Sequence, residues 1–410
     1  MDTTTVISNP GSIPELTKFA EWSLANDRRI IFASPIAINS ATSARLEGSK
    51  VSLLSRVGAS MRARSVDHLS KAEERWQCAT VQELQFLRAR RVSPTGSKRQ
   101  LSQRNERFDT AVAARVRRHG KVGRVLVRST AGLQTLRAVR GSGEGILDYP
   151  IVHHDVMARI IREESRAFPQ LAHTFAGDVR SVDERKQLDE EIQTADRVLT
   201  LSEPHRLSFV NAGVDPGRLI TVPLGVDLRL FKHTVRSERD SRRHLIFSGQ
   251  VVQRKGIGYL FQLMQTLPTN YHLTIAGFAP DPSVIPADER ITYVGSLTRP
   301  RLAELYRSGS VFIFPSLAEG FAQTPLEALA SGLPAVVSDT VYGSEGPVVD
   351  GVNGFLVNPR DVDQMRDRVT IIAENPELHR AMSEQAAAAA SAFTWQRFSE
   401  SLDRHFGEAQ

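Results

Sequence analysis

The sequence predicts an α/β protein made of two doubly wound, Rossmann-like halves, and three observations carry that prediction. Short apolar runs without alternation, such as Val311-Phe312-Ile313-Phe314, recur along the chain and read as parallel strands buried on both faces. Segments with helical character separate these runs, which is the pattern of successive βαβ units. The polar stretch from Lys232 to Arg243 (KHTVRSERDSRR) has no apolar periodicity and divides the alternation into two series, which places a domain boundary there. A chain of 410 residues is also too long for one ordinary core.

In the first series, Leu16 to Leu24 has an amphipathic helical pattern, and Arg29 to Pro35 (RIIFASP) reads as a strand closing in a turn. Residues 41–107 are arginine-rich with scattered apolar positions; helices are expected over 69–91, and Ser93 to Arg99 (SPTGSKR) reads as a loop. A helix is expected over Phe108–Arg118, a strand over Arg124–Val127, a helix over Gly132–Val139 and a strand over Gly145–Asp148. Helices at 154–167 and Asp183–Thr194 follow, then a strand at Arg197–Leu201, a helix at Pro204–Asn211 ending at Gly213, and a strand at Leu219–Val222.

The second series opens with the strand His244–Phe247 and continues with a helix over 256–267 and strands at His272–Ala276 and Ile291–Val294. A helix over 300–307 leads to the most legible unit, residues 311–339. Its first strand is Val311–Phe314. Thr324 is placed as helix N-cap, Pro325 at the first helical position and Glu327 as the partner in a capping box. Gly332 supplies a left-handed stop, and Pro334–Ser338 is the second strand. The strand Gly354–Val357 and helices to the end complete the series.

Composition excludes several classes. Apolar residues make up 41% and charged residues 24%, as in a globular protein in water. No run approaches the ~18 apolar residues of a membrane-spanning helix, and the start, MDTTTVISNPGSIPEL, lacks the basic and apolar regions of a signal peptide. A single cysteine, Cys78, excludes an internal disulfide framework and a cysteine metal cluster, so a reducing, cytoplasmic setting is expected. Charge is unevenly spread. Residues 241–410 hold 14 Lys+Arg against 18 Asp+Glu, a net of −4, so the first 240 residues carry +10 to give the total of +6. The segment 88–128 concentrates this charge, with only Glu106 and Asp109 as acids. It reads as a nucleic-acid surface, an anionic-membrane contact or a solvated face; aromatic residues to stack bases are nearly absent.

Four features carry potential chemistry. Glu319, in the loop after Phe314, and Glu327 both fall near one helix N-terminus, where free amides and partial positive charge favour an anion. They read either as a loop acid and a capping acid or as ligands for sugar hydroxyls. Gly249 to Gly256 (GQVVQRKG) opens a helix after a strand and offers Arg254 and Lys255 to a phosphate, or is a turn with a solvated cation pair. His153-His154 lies just past a strand end and is either a polar loop pair or hydrogen-bonds a reacting group. Asp361-Val362-Asp363 has the form of a metal-diphosphate site, but its place before a helix is better explained by N-capping, and no metal ligand is assigned.

These features, in this order, resemble the nucleotide-sugar domain of the family 4 glycosyltransferases, retaining enzymes of the group 1 type with the GT-B fold. Gly249…Arg254-Lys255-Gly256 is similar to that family's phosphate loop. Glu319-Gly320-Phe321 through Glu327 to Pro334 is similar to its E-x7-E motif, and Val352–Val357 to its following strand. Val222-Pro223-Leu224-Gly225-Val226-Asp227 with Phe231 resembles the usual end of the first domain. The resemblance covers about residues 183–400.

It implies two Rossmann-like domains facing across a cleft: an acceptor-side domain over 1–235, a donor domain over 236–394, and a helix over 395–410 returning to the first. It implies a UDP- or GDP-sugar donor, a lipid-linked or saccharide acceptor, and glycosyl transfer with retention, as in polysaccharide or glycolipid assembly. No metal or other cofactor is implied and no nucleic acid is expected; peripheral contact with an anionic inner membrane face is compatible with it. By motif match, Glu327 holds the ribose hydroxyls and Glu319 the donor sugar. The amides of Gly320, Phe321 and Ala322 approach sugar and diphosphate, while Gly249, Arg254 and Lys255 form the phosphate loop. The base lies near Val294-Gly295-Ser296. Glu319, Lys255 and His154 are the catalytic candidates, with His154 chosen over His153 because it is nearer the following helix. The pattern departs from the family at Gln250, at Ala322 and in the loop after the strand 29–35, where Ser34 to Ser40 contains no glycine. That last departure motivates an alternative, a catalytically idle nucleotide-sugar-binding protein.

Overall fold

A computed structural model describes residues 4–11, 13–35, 74–78, 83, 85–86, 97–234 and 243–407. The chain divides into two compact units. One comprises Met1–Tyr149, Ser181–Leu199 and Gly217–Ile220; the other comprises Pro150–Arg180, Thr200–Pro216 and Thr221–Gln410.

The first sheet has seven strands: β1 (Thr4–Ser8), β2 (Ile30–Ser34), β3 (Glu74–Gln77), β4 (Val122–Arg128), β5 (Glu144–Asp148), β6 (Arg197–Thr200) and β7 (Leu219–Thr221), in the order β3-β2-β1-β4-β5-β6-β7. β1 pairs in parallel with both β2 and β4, through Val6↔Ile31 and Val6↔Val125. Val6, Ile7, Val125, Leu126, Ile146 and Leu147 are fully buried, and each such side chain stabilises the fold by about 1.5–3 kcal/mol relative to exposure. The helices before β8 are α1 (Pro14–Ala25), α2 (Ser97–His119), α3 (Leu133–Val139) and α5 (Val182–Thr194) in the first unit, and α4 (His154–Ala167) and α6 (Glu203–Val210), with a 3₁₀ segment at Pro169–Gly177, in the second.

The second sheet has six strands: β8 (His244–Ser248), β9 (His272–Ala276), β10 (Ile291–Gly295), β11 (Val311–Phe314), β12 (Ala335–Ser338) and β13 (Gly354–Val357), in the order β10-β9-β8-β11-β12-β13. Its helices are α7 (Ile257–Thr266), α8 (Arg299–Ser308), α9 (Gln323–Ala330), α10 (Asp339–Tyr342), α11 (Val362–Glu374), α12 (Pro376–Ala390) and α13 (Trp395–Gly407). Val311 through Phe314 are all fully buried, as the run without alternation predicts. The expected two-sheet α/β class is the observed one. No helix of the described residues is long and apolar enough to cross a membrane.

Four expectations need correction. The first strand is Thr4–Ser8, not the segment 29–35, which is β2. Its sequence, TTVIS, has too few apolar residues to stand out, yet its β-branched side chains suit a buried central strand. The loop after the first strand is therefore residues 9–13, and it contains Gly11, whose N–H donates to Asn9 Oδ1 (3.2 Å). Residues 74–77, inside the stretch expected to be helical, form β3, an edge strand on which Arg75 and Gln77 are exposed while Trp76 is buried. That polar alternation is what an edge tolerates; most of the remainder of 69–91, like residues 36–40 and 41–73, lies outside the described residues. α2 starts at Ser97, so the last part of the expected loop at 93–99 is helix.

The fourth correction concerns α9. Its N-cap is Ala322, without a side-chain cap, and no capping box forms. Thr324 sits inside the helix and its hydroxyl donates to the Ser248 carbonyl (2.9 Å), tying the helix start to the end of β8. Glu327 is thereby freed from capping.

Four arginines of the arginine-rich segment have partners within their own unit. Arg104 is buried against Glu83 (3.0 Å), Arg115 donates to Cys78 Sγ and the Gln77 carbonyl, Arg124 pairs with Glu144 (2.7 Å), and Arg128 reaches both Glu15 (2.7 Å) and Asp148 (2.5 Å). Asp361 is the N-cap of α11, accepting from Gln364 N (2.8 Å), as expected, and Asp363 pairs with Arg366.

Candidate active site

The second unit places its polar side chains where its sheet reverses direction of growth. Strand order β9-β8-β11-β12 puts the switch point between β8 and β11, and the loops leaving the carboxyl ends of these strands, 249–256 and 315–322, form the site.

After β8 the chain makes a 3₁₀ turn, Gln253–Lys255, closed by Gly256 at φ 73°. A Cβ on Gly256 would stand 1.9 Å from the Pro315 carbonyl oxygen, so only glycine lets the two loops meet. The turn thereby directs Arg254 and Lys255 into the loop after β11. Lys255 Nζ donates to Glu319 Oε1 at 2.5 Å, and Arg254 reaches the same oxygen at 3.3 Å and the Ala318 carbonyl at 3.0 Å. Ser316 Oγ donates to Glu319 Oε1 as well (2.5 Å), and Asp178 lies 3.2 Å from Arg254 Nε. Burial alone would raise the Glu319 carboxyl, but Lys255 and Arg254 reverse this and hold it below the usual carboxylate range. Burial lowers the Lys255 ammonium, with Arg254 adding to it and Glu319 opposing. Two cations and two carboxylates thus share one largely buried cluster.

Gly320 follows, and its Cα abuts the backbone before the histidines, since a Cβ there would stand 2.1 Å from the Pro150 oxygen. Ser202 Oγ donates to the Gly320 carbonyl (2.7 Å). Phe321 packs edge-on against Tyr342, with ring centroids 4.9 Å apart, and the Tyr342 hydroxyl donates to the Ala322 carbonyl. This fixes the residues leading into α9.

Glu327 lies in α9 and is buried. Burial pushes its carboxyl up to about 7, while Arg299 (3.5 Å) and a hydrogen bond from Tyr306 pull the other way. Ser248 Oγ lies 3.0 Å from the same Tyr306 hydroxyl, within hydrogen-bond reach, which links Glu327 to the end of β8. Gly249 N donates to the Ala276 carbonyl (2.9 Å) at the start of the same loop. Val294 and Gly295 end β10 at the sheet edge, where Val294 is 40% exposed and Phe278, just past β9, is 47% exposed.

His153 is the N-cap of α4: its Nδ1 accepts from Asp155 N (3.3 Å) and its own N–H donates to Ser208 Oγ (2.9 Å). His154 is the first helical residue, buried, with its ring 4.0 Å from that of His153. His153, His154 and Asp155 bring potential ligand atoms within 4.8 Å of one another, but at a helix N-terminus, whose partial positive charge disfavours a cation.

The structure therefore brings Arg254, Lys255 and Glu319 into direct contact and sets Gly320 beside the segment leading to His153 and His154. Glu327 belongs to a separate cluster with Arg299 and Tyr306. Reading the sequence missed Asp178, Ser316, Arg299 and Tyr306. Only Arg299 had a local signal, as a cation at the start of a predicted helix; the others reach the site through tertiary packing.

Residues 230–389 match the family model described as glycosyl transferases group 1. Among curated proteins the chain is similar to D-inositol 3-phosphate glycosyltransferases, at 30% identity in Mycobacterium avium, over 55% of this chain and 56% of that protein, and at 29% in Mycobacterium tuberculosis, over 55% and 50%. It spans about half the length of these relatives. Among solved structures it is similar to sucrose-phosphate synthase from Thermosynechococcus elongatus, with TM-score 0.66 and 16% identity over 100% of this chain and 99% of that one. It also resembles HepE from Anabaena in complex with UDP and glucose, with TM-score 0.62 and 14% identity over 99% of each chain. Likenesses at that identity bear on the fold.

Proposed function

We propose that the chain, whose residues 230–389 match the group 1 glycosyltransferase model, is a retaining glycosyltransferase using a nucleotide-diphosphate sugar. The observation that carries this reading is the buried cluster of Arg254, Lys255 and Glu319 at the switch point of the second sheet. The cation pair balances the donor diphosphate, assisted by the amides of Gly320, Phe321 and Ala322 ahead of α9. Glu319 accepts hydrogen bonds from donor-sugar hydroxyls and Glu327 from ribose hydroxyls. Phe278 and Val294 offer apolar surface to the base. The UDP and glucose bound to HepE support a UDP-sugar as the first donor to try.

In the reaction the bond from the anomeric carbon to the diphosphate oxygen breaks, with its electron pair leaving on the phosphate. The acceptor hydroxyl oxygen bonds to the same carbon on the same face, and its proton passes to the departing phosphate oxygen. Arg254 and Lys255 stabilise the charge that develops there, which is the largest contribution the site makes. His154 orients the acceptor hydroxyl. Polysaccharide or glycolipid assembly, at an inner membrane face, is the setting proposed for this chemistry, without a metal cofactor.

The corrected first strand weakens the case for an idle binding protein, because the loop that follows β1 contains one glycine, Gly11. Calorimetry with UDP- and GDP-sugars tests the reading. Binding that is lost in Lys255→Ala and Glu327→Ala is expected; affinity unchanged in both variants overturns it.

A further inference from the structure

We infer that Glu164 is a positioning residue for the diphosphate-binding turn: it fixes Gln253, and through Gln253 the conformation in which Arg254 and Lys255 are offered. The inference rests on the donor-site reading above and adds to it a residue outside every motif that led there.

Glu164 is in α4, ten residues beyond His154, and is buried. Both of its oxygens are used. Oε2 accepts from Gln253 Nε2 (2.8 Å), while Oε1 accepts from Arg360 Nε (2.8 Å) and from the Tyr259 hydroxyl (3.2 Å). Arg360 also holds the neighbouring Glu163 (2.9 Å). A buried carboxylate with a guanidinium partner and satisfied lone pairs is a rigid anchor.

Gln253 is the element this anchor holds. It is fully buried and begins the 3₁₀ turn that includes Arg254 and Lys255. Its amide oxygen accepts from Gly258 N (3.0 Å) in the first turn of α7, and its own N–H donates to Thr174 Oγ1 (2.9 Å). The side chain therefore spans from Glu164 to the start of α7, and Arg254 and Lys255 lie in the chain between Gln253 and Gly258. The Phe168 ring, at the end of α4, closes the contact: it packs edge-on to Tyr259 at 4.8 Å and leaves no room for a Cβ on Gly258. One helix thus carries the histidine at its first residue and the anchor of the phosphate turn near its last.

A purely structural Glu164 would affect folding without regard to which part of the ligand is bound. A positioning Glu164 affects the diphosphate and leaves the nucleoside alone. Glu164→Gln keeps the side-chain size; its amide oxygen stays with the two donors Arg360 and Tyr259, so its NH2 faces Gln253 Nε2, which loses its acceptor. The test compares UDP and GDP, by calorimetry, with uridine and guanosine, by ligand-observed NMR. In Glu164→Gln the diphosphate that the unmodified protein binds is expected to weaken about tenfold, with nucleoside binding unchanged. Gln253→Leu, which cuts the same link from the other side, is expected to show the same selective loss and serves if Glu164→Gln does not fold. Tyr259→Phe removes a donor to Glu164 without touching Gln253 and is expected to bind the diphosphate as the unmodified protein does. Equal diphosphate affinity in the unmodified protein and in Glu164→Gln or Gln253→Leu overturns the inference while leaving the donor site standing. So does an equal fall for nucleoside and diphosphate. Failure of the unmodified protein to bind UDP or GDP overturns the donor-site reading and this inference together.

Discussion

Lys255 donates its ammonium to Glu319 across 2.5 Å, and the guanidinium of Arg254 reaches the same carboxylate oxygen at 3.3 Å. In this arrangement Glu319 is the anion shared by the two cations. The two ends of the cluster are unequal. Removing Glu319 leaves two buried cations with Asp178 alone to balance them, whereas removing Lys255 leaves Glu319 paired with Arg254. Breaking a buried pair costs about 3–5 kcal/mol when a charge is left uncompensated. Glu319→Ala is therefore expected to lose about that much in chemical denaturation, and Lys255→Ala distinctly less. Equal losses contradict the shared-anion arrangement.

Glu327 links the site to pH. Burial raises its carboxyl to about 7, against the opposing pull of Arg299 and Tyr306, so in the ligand-free protein it is protonated below neutrality. Its proposed role, accepting hydrogen bonds from ribose hydroxyls, needs the carboxylate. Nucleotide affinity is expected to strengthen as pH rises through about 7 and to level off above it. Glu327→Gln is expected to bind weakly with a flat profile between pH 5.5 and 8.5 (about the range that brackets the transition). A profile of unchanged slope in the variant assigns the titration elsewhere.

Much of this site was legible in the sequence, and what was not has physical causes. The unit from Val311 to Ser338 combines a fully buried strand, a glycine stop and a second strand, all of which are local signals, and its elements stand where they were expected. The basic turn at Arg254 and Lys255 was visible for the same reason. The helix start was misread because Thr324 bonds to Ser248, a partner 76 residues away, instead of to its own helix. Thr4–Ser8 was missed because a five-residue strand of mixed polarity is recognised only by the strands that flank it. Asp178 and Tyr306 belong to the site solely through long-range packing, which no spacing reveals.

A second carboxylate makes stability depend on pH in the first unit. Glu191 is fully buried and accepts from Thr130 N (2.8 Å) and Gly132 N (3.3 Å), yet burial outweighs these bonds and raises it to about 7. An acid whose pKa is raised on folding binds its proton more tightly in the folded state. Its ionisation costs nothing below the unfolded value, and the cost grows until pH passes the folded value. Stability is thus expected to fall between about pH 4.5 and 7, by up to ~3 kcal/mol. Glu191→Gln is expected to lose that part of the slope in denaturation experiments, and retention of the full slope assigns it to other groups.

Gly256 tests how closely the two loops of the site must approach. Its φ of 73°, and the 1.9 Å that would separate an alanine Cβ from the Pro315 oxygen, leave alanine no strain-free placement. Gly256→Ala is expected to destabilise by more than the ~1 kcal/mol of the backbone conformation alone, and to weaken nucleotide binding because the turn carrying Arg254 and Lys255 shifts. A variant with unchanged melting temperature and affinity contradicts that geometry.

The proposed reaction at this site is cleavage of a nucleotide-diphosphate sugar. The most direct measurement is incubation of the protein with a panel of UDP- and GDP-sugars, following release of the nucleoside diphosphate with and without saccharide acceptors. Release from at least one donor is expected, by transfer or by slow hydrolysis, with its loss in Lys255→Ala. No release from any donor, or release undiminished in Lys255→Ala, contradicts it.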